Sequence, residues 1–257
     1  MTGKLMLPQA FEPARAFFEQ SVQPYIHITL QKDESISRTD SKLFGVPYFP
    51  LNMPFPTNKD NRPLKLLAQL NFAQMPNFSY FPTTGILQFF IDPYDDIHGM
   101  DFDDGTNQAG FRVIYHEAVE QMMAEQELPT YDESELMMPG VQEVKMHFTQ
   151  KTQPISLEDF RAQHLPNEVA EQYDAWDDYI ELHYNEPLHQ VGGYSFFTQT
   201  DPREYEYSDY TVMLLQIDSQ MDLDLLWGDV GIANFFVTEE QLKNRDFSRV
   251  LYNWDCG

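Results

Sequence analysis

Cysteine and positive charge are both scarce in this chain. The single cysteine, Cys256, has no second cysteine to pair with, so the sequence predicts no intrachain disulfide. The 16 Lys and Arg residues face 41 Asp and Glu residues, which gives a net charge of −25. This charge repels phosphate backbones and anionic lipids, so nucleic acid and membrane are disfavoured as partners. A basic protein or a cation is favoured instead.

Long apolar runs are also missing. The segment 1–22 is interrupted by charged residues and a proline, namely Lys4, Pro8, Glu12, Arg15 and Glu19. This pattern predicts neither a signal peptide nor a transmembrane span. We therefore expect a cytoplasmic protein.

Residue patterns that would name a reaction are absent as well. The seven histidines show no i, i+4 pair and no cysteine partner of the kind that binds zinc. No serine lies in a nucleophile-elbow context, there is no glycine-rich phosphate loop, and Cys256 lacks the electropositive setting of a reactive thiol. We expect no catalytic residue, no metal and no cofactor, and favour a protein that is not an enzyme.

What the chain does contain is a near repeat of itself at an offset of about 147 residues. Three pairs of segments correspond: Leu66–Asn71 with Met213–Asp218, Gly85–Ile91 with Gly231–Val237, and Phe44–Phe49 with Val191–Phe196. A period this long indicates two copies of one supersecondary unit rather than a solenoid. The sequence predicts a single domain over residues 1–257, built from similar halves at about 24–140 and 141–257.

Strand signals dominate both halves. Apolar alternation and β-branched or aromatic residues predict strands at Tyr25–Leu30, Leu64–Phe72, Gly85–Asp92, Arg112–Tyr115, Val144–Thr149, Thr211–Asp218, Gly231–Thr238 and Arg249–Tyr252. Helical spacing and caps predict helices at Phe11–Val22, from Ser156 to about His164, at Asn167–Tyr184 and directly after Thr238. The pattern predicts a β-rich α+β fold, in which two similar antiparallel-sheet halves pack into one globule with a few peripheral helices.

The region 92–139 is the most acidic part of the chain, with thirteen acids and one base, Arg112. Its Asp101–Gly105 segment resembles a calcium-binding loop, but the glycine comes one position early and Arg112 stands where a bidentate glutamate is needed. Two interpretations stay open: a solvated acidic loop, which we favour, and a weak surface cation site.

Six short motifs stand out along the chain: Ser41–Pro50, Leu67–Asn71, Gly85–Phe90, Leu214–Asp218, Trp227–Gly231 and Asp246–Arg249. Together they resemble the YwqG-like family of bacterial proteins, a domain of unknown function. The family usually has a second glycine where Phe44 stands, and the Gly-Gly pair is kept here only as Gly192 and Gly193. The resemblance implies an immunity-type role, because some members lie near polymorphic toxin genes, and it carries over no catalytic residue.

The leading functional hypothesis is a non-catalytic acidic binding protein that neutralises a basic partner such as a toxin. The excess negative charge would steer a cationic partner to fast encounter. The expected contacts are the acidic region 92–139 and the exposed acids of the Asn167–Tyr184 helix, namely Glu171, Asp174, Asp177, Asp178 and Glu181.

The alternative hypothesis is a small-molecule or metal-binding protein, or a metal-assisted hydrolase, with its site in a cleft between the halves. Proline-rich and glycine-rich loops at equivalent places in the two halves motivate this hypothesis, and the candidate residues near them are Tyr48, Gln69, Tyr194, Gln216 and Trp227. Gln69 and Gln216 sit in mid-strand, where a buried amide must find hydrogen-bond partners. They either brace the sheet or line a shared cleft. The sequence leaves the ligand and the oligomeric state open.

Overall fold

The chain is built around one continuous antiparallel sheet of ten strands. A computed structural model describes residues 4–33 and 35–257. The strands are β1 (Gln23–Gln31), β2 (Lys42–Leu43), β3 (Lys65–Asn71), β4 (Ile86–Ile91), β5 (Phe111–His116), β6 (Val144–Gln153), β7 (Gln190–Gly192), β8 (Val212–Asp218), β9 (Ile232–Val237) and β10 (Leu251–Asp255). The fold is thus β-rich, as the alternation predicts, but it has a single sheet where the sequence indicated a sheet in each half.

The strand order places β1 and β6 side by side at the centre of the sheet. The full order is β10-β9-β8-β7-β1-β6-β2-β3-β4-β5. The central pair runs from Gln23 opposite Gln153 to Gln31 opposite Lys145. On its other side β1 pairs with β7, and β6 pairs with β2. Each central strand therefore joins the strands of the opposite part of the chain.

The sheet curls, so that strands from its two ends pack face to face. Phe89 of β4 lies against Phe235 of β9 with ring centroids 4.8 Å apart. Phe111 of β5 and Tyr252 of β10, which belong to the two outermost strands, have ring centroids 5.0 Å apart. All four rings are buried in the largest hydrophobic cluster. Such aromatic pairs contribute about 0.5–1.5 kcal/mol each beyond the burial of their area.

The helices are short and peripheral. They are α1 (Arg15–Ser21), α2 (Asn167–Ala170), α3 (Asp174–His183) and α4 (Glu239–Asn244), with 3₁₀ turns such as Gln9–Ala14 and Phe160–His164. A second cluster packs Phe11 and Phe18 of the N-terminal segment on Tyr179 of α3. Within the described ranges, each helix is too short or too polar to cross a lipid bilayer.

Three predicted helices differ from the observed ones. The N-terminal helix begins only at Arg15, because the stretch containing Pro13 is a 3₁₀ turn. The helix predicted from Ser156 is a 3₁₀ turn that starts after Asp159, whose side chain accepts from the Arg161 amide. The helix predicted over 167–184 is broken between α2 and α3, where i→i+3 hydrogen bonds such as Gln172 N to Val169 O replace the α-helical pattern.

The last predicted strand is shifted, and two strands were not predicted. The segment 249–252 was predicted as a strand, but β10 covers Leu251–Asp255, because Leu251 is the residue that lies opposite Phe236 of β9. Both β2 and β7 have three residues or fewer, too short for a period to show. The proline-rich segment after Gly45 is irregular, as the missing backbone donors predict.

A buried ionic cluster joins two loops beneath the second half of the sheet. The Arg203 guanidinium, which is fully buried, donates from Nε to Asp201 Oδ1 at 2.9 Å and from Nη2 to Asp159 Oδ2 at 3.0 Å. It also stacks 4.0 Å from the ring centroid of Phe236 in β9. Asp159 receives a second guanidinium from Arg161, at 2.6 Å. These hydrogen bonds and cations hold the pKa of Asp159 well below its usual range, against the opposing effect of burial.

We expect Arg203→Met to lower the free energy of unfolding by about 3–5 kcal/mol, because it leaves the buried Asp201 carboxylate without its cation and removes one of the two cations of Asp159. Arg245→Met is the matched control, since Arg245 forms an exposed ion pair with Glu117 and its loss should change stability little. Urea denaturation of both variants measures the difference. Equal stability of the two variants would show that the buried cluster does not hold the loops.

Candidate functional site

Two of the five predicted ligand residues, Tyr48 and Gln69, meet in a buried network. The Tyr48 amide donates to Gln69 Oε1 at 3.0 Å. Gln69 Nε2 donates to the carbonyl oxygens of Arg38 and Asp40 at 2.9 and 2.8 Å. Both side chains are fully buried. Gln69 therefore ties the strand β3 to the loop before β2 and to the proline-rich loop.

The network continues through Gln88 and His116 on the neighbouring strands. Gln88 Nε2 donates to Gln69 Oε1 at 2.7 Å and also to the Tyr48 carbonyl. Gln88 Oε1 is then the acceptor for His116 Nε2, 2.8 Å away. His116 is thus a neutral donor, and burial lowers its pKa to about 4.

Gln216 braces the other part of the sheet in the same way. The Phe196 amide donates to Gln216 Oε1 at 2.8 Å, and Gln216 Nε2 donates to the Leu188 carbonyl at 2.7 Å. Asn234 Nδ2 donates to the Phe196 carbonyl at 3.0 Å, which matches the bond from Gln88 to Tyr48. In both cases a mid-strand amide holds the backbone of an adjacent loop.

Tyr194 and Trp227 lie in two further buried surroundings. Tyr194 Oη donates to the Ser21 carbonyl at 2.6 Å, and the guanidinium of Arg161 lies over its ring. Trp227 is fully buried and packs edge-on against His98. The structure brings Tyr48 and Gln69 together and gives the other three residues structural contacts of their own. A ligand role for these five residues remains a prediction.

The five predicted acids near α3 all lie on the surface. Glu171, Asp174, Asp177, Asp178 and Glu181 are exposed, while Ala175 and Tyr179 on the opposite side of α3 are buried. In the part of the chain that the structure describes, none of these acids forms an ion pair with a base. They present a continuous negative face to solvent.

The acids at 101–104 are used locally as turn-forming groups. Asp101 Oδ1 accepts from the amides of Asp103 and Asp104 at 2.9 and 3.1 Å, and Oδ2 accepts from Asn107 at 2.7 Å. These hydrogen bonds hold the pKa of Asp101 below its ordinary value. Across residues 4–33 and 35–257, no three His, Cys, Asp or Glu side chains are grouped so that they could hold a metal ion.

The turn at 101–104 and a distant loop each present an exposed aromatic ring to the same surface depression. Phe102 is 78% exposed and Tyr205 is 82% exposed. Both line a surface depression of about 450 Å³, together with Asp101, Asp103 and Glu206. We call these five residues the aromatic–acidic surface.

The aromatic–acidic surface is held in place by backbone contacts behind it. The Gly105 amide donates to Tyr207 Oη at 3.2 Å, which joins the two loops. The Gly105 carbonyl accepts from the Tyr252 amide of β10 at 2.9 Å. Sequence reasoning missed Tyr205. The signal was present in the local pattern of aromatic residues flanked by acids, Asp101-Phe102-Asp103 and Glu204-Tyr205-Glu206.

His189 is a second neutral, buried histidine. Its Nδ1 accepts from the Asp218 amide at 3.1 Å, which leaves Nε2 to donate to Gln220 Oε1 at 3.0 Å. Burial lowers its pKa to about 4. Protonation of His189, as of His116, therefore opposes folding.

We expect the two histidines to make the protein less stable as the pH falls from about 6.5 to about 4. In this window the unfolded chain binds protons that folded His116 and His189 do not, which lowers the free energy of unfolding by up to about 1.4 kcal/mol per pH unit for each histidine. Burial raises the pKa of Asp218 and of Asp255, and this acts in the opposite direction. Urea titrations at several pH values should show a smaller acid loss in the H116Q/H189Q variant, and an unchanged loss would contradict the assignment.

Comparison with known proteins connects the chain to a family without a known activity. A search among curated proteins finds none that matches the chain. A family described as a domain of unknown function, DUF1963, matches residues 41–256, which include nine of the ten strands, the five predicted ligand residues and the aromatic–acidic surface. The chain therefore belongs to the DUF1963 family.

Proposed function

We propose that this protein is a non-catalytic binding protein that takes a basic partner protein on its aromatic–acidic surface. The observation that carries the proposal is the pair of rings, Phe102 and Tyr205, each more than three-quarters exposed beside carboxylates. Aromatic residues are enriched in protein–protein interfaces relative to the rest of the surface.

The chemistry of this surface matches a partner rich in arginine or lysine. A guanidinium or ammonium group that packs on an aromatic face gains about 0.5–1 kcal/mol when exposed, and about 2 kcal/mol when water is excluded. Asp103 and Glu206 form no ion pair within the described residues, so their carboxylates are free to accept from such a group. The rings supply affinity, and the carboxylates select the sign of the partner's charge.

The remaining acids act at longer range in this proposal. The net charge of −25 attracts a cationic partner and raises its rate of association, with a strong dependence on salt. The α3 face with Asp174, Asp177, Asp178 and Glu181 contributes to this field and forms a second contact zone.

The finer role that we propose is immunity against a basic toxin in the cytoplasm. The resemblance of the sequence to the YwqG-like family supports this role, since some members of that family lie near polymorphic toxin genes. The single cysteine, Cys256, is consistent with a reducing compartment. An immunity protein needs no catalytic group, only a surface that covers its toxin.

We also propose that the regions 24–140 and 141–257 are two copies of one unit. The strand order is symmetrical about the β1–β6 pair. The register of strand pairing shifts at corresponding places: after Leu66 in the β3–β4 pair and after Met213 in the β8–β9 pair. Superposition of β1–β5 on β6–β10 tests this proposal, because the two bracing glutamines must then coincide.

The test of the binding surface uses an arginine-glycine repeat peptide as a defined basic probe. We expect the F102S/Y205S variant, whose charge is unchanged, to bind this peptide at least about tenfold more weakly than the wild type. The loss should persist at raised salt, because it comes from the rings rather than from the net charge. Fluorescence anisotropy of the labelled peptide measures the affinity.

The matched control is Tyr80→Ser, which removes a ring that is 56% exposed outside this surface and should leave the affinity unchanged. A native-lysate pull-down with the same proteins then identifies a natural partner as a basic protein that the wild type recovers and the F102S/Y205S variant does not. Equal binding by the wild type and by the F102S/Y205S variant would contradict the proposal.

A further inference from the structure

A groove of about 820 Å³ lies where the proline-rich loop approaches the C-terminal part of the chain. One wall is the segment 53–57, the floor comes from Arg112–Tyr115 of β5, and Arg245, Phe247 and Ser248 line the other wall. The volume is within the range of pockets that take small organic ligands, about 300–1,000 Å³. This groove is separate from the aromatic–acidic surface in its residues.

The charge of the groove is opposite to that of the whole protein. It is lined by two arginines, Arg112 and Arg245, and none of the described residues that line it is acidic. Acids adjoin this lining, because Glu117 pairs with Arg245 and Asp246 accepts from Ser248. Arg112 is therefore the lining cation that is left to attract an anion.

Arg112 has unused hydrogen-bonding capacity. Its Nη2 donates to the Gln108 carbonyl at 3.2 Å, and its Nε is shielded from water without an acceptor in the part of the chain that the structure describes. No described carboxylate lies within ion-pair distance of it. A guanidinium in this state is suited to a carboxylate or a phosphate group, with which it forms two parallel hydrogen bonds.

The walls of the groove suit an aromatic or other flat apolar body. Phe55 packs in one hydrophobic cluster with Ile114, and Phe247 packs in another with Tyr115, so the two rings lie on opposite faces of β5 at the groove. Phe55 is packed against Phe49, with ring centroids 4.8 Å apart, and this fixes its wall. Such residues bury apolar ligand surface, while the few polar groups fix its orientation.

Gln108 keeps the groove open and preformed. Its Oε1 accepts from the Val113 amide on the outer edge of β5 at 2.8 Å. Its Nε2 donates to the Phe247 carbonyl on the other wall at 2.7 Å. The Gln108 side chain therefore links β5 to the wall that contains Phe247. It also occupies the Val113 amide, a donor at the sheet edge with which a further strand would have to pair.

We propose that this groove binds a small organic anion, in which a carboxylate or a phosphate group meets Arg112 and a flat apolar body lies against Phe55, on the face of β5 that Arg112 and Ile114 share. Arg245 adds positive charge at the rim, although it is already paired with Glu117 at 2.5 Å. This site would give the protein a small-molecule ligand in addition to its proposed partner, and it does not depend on the partner-binding proposal.

The test compares three probes of the same ring system: 1-naphthoate, 1-naphthyl phosphate and 1-naphthamide. We expect at least one of the two anions to bind about 10- to 100-fold more tightly than the neutral amide, because a charge-assisted pair with Arg112 forms only with the anion. Isothermal titration calorimetry measures the affinities, and the tighter anion identifies the headgroup that the groove prefers.

Two variants and one control make the assignment specific. Arg112→Gln should abolish the preference for the anion, and Ser248→Trp should fill the groove and weaken all probes that bind there. Arg249→Gln is the control, because Arg249 contacts Thr106 and Asp104 and is not part of the lining. An anion that binds no better than the amide, or binds Arg112→Gln as tightly as the wild type, would overturn the proposal, as would absence of binding at millimolar concentration.

Discussion

The pairing of β1 with β6 is the constraint on which the rest of the structure depends. The two strands are the longest in the sheet and lie antiparallel along their length. Because β1 also pairs with β7 and β6 with β2, neither part of the chain completes its own half of the sheet. The core under the curled sheet closes only after contacts form between residues more than 100 positions apart, which predicts slow, cooperative folding.

The strands could be predicted from the sequence where a long run of apolar residues marks them. The strands β3, β4, β8 and β9 were predicted from apolar runs that are buried in the structure. The strands β2 and β7 could not be predicted, because Lys42–Leu43 and Gln190–Gly192 carry no measurable period. The pairing of β1 with β7 and of β6 with β2 depends on tertiary contacts, and no local sequence pattern predicts it.

Only part of the candidate site could be predicted, because the sequence shows where charges concentrate along the chain but not which loops meet in space. The sequence indicated where the acids concentrate, and those near α3 are indeed exposed. It could not show that Phe102 and Tyr205, more than 100 positions apart, line the same depression. Nor could it show that Arg112, the one base among thirteen acids in the region 92–139, lines a groove without an acidic residue. Such charge segregation depends on which loops the curled sheet brings together.

The two proposed sites differ in charge: we propose a basic protein for the aromatic–acidic surface and a small anion for the groove. Both rest on loops that the sheet edges position, and the bracing amides of Gln69 and Gln216 fix the loops nearer the centre. The protein would thus hold its functional groups on a rigid frame, with little need for rearrangement on binding.

An NMR titration of ¹⁵N-labelled protein with the arginine-glycine repeat peptide locates the binding surface directly. We predict that the largest amide shifts cluster at residues 100–105 and 202–207, with smaller shifts on α3 and little change around Arg112 and Arg245. Shifts spread evenly over all exposed acids, or centred on the groove, would contradict the assignment of the aromatic–acidic surface.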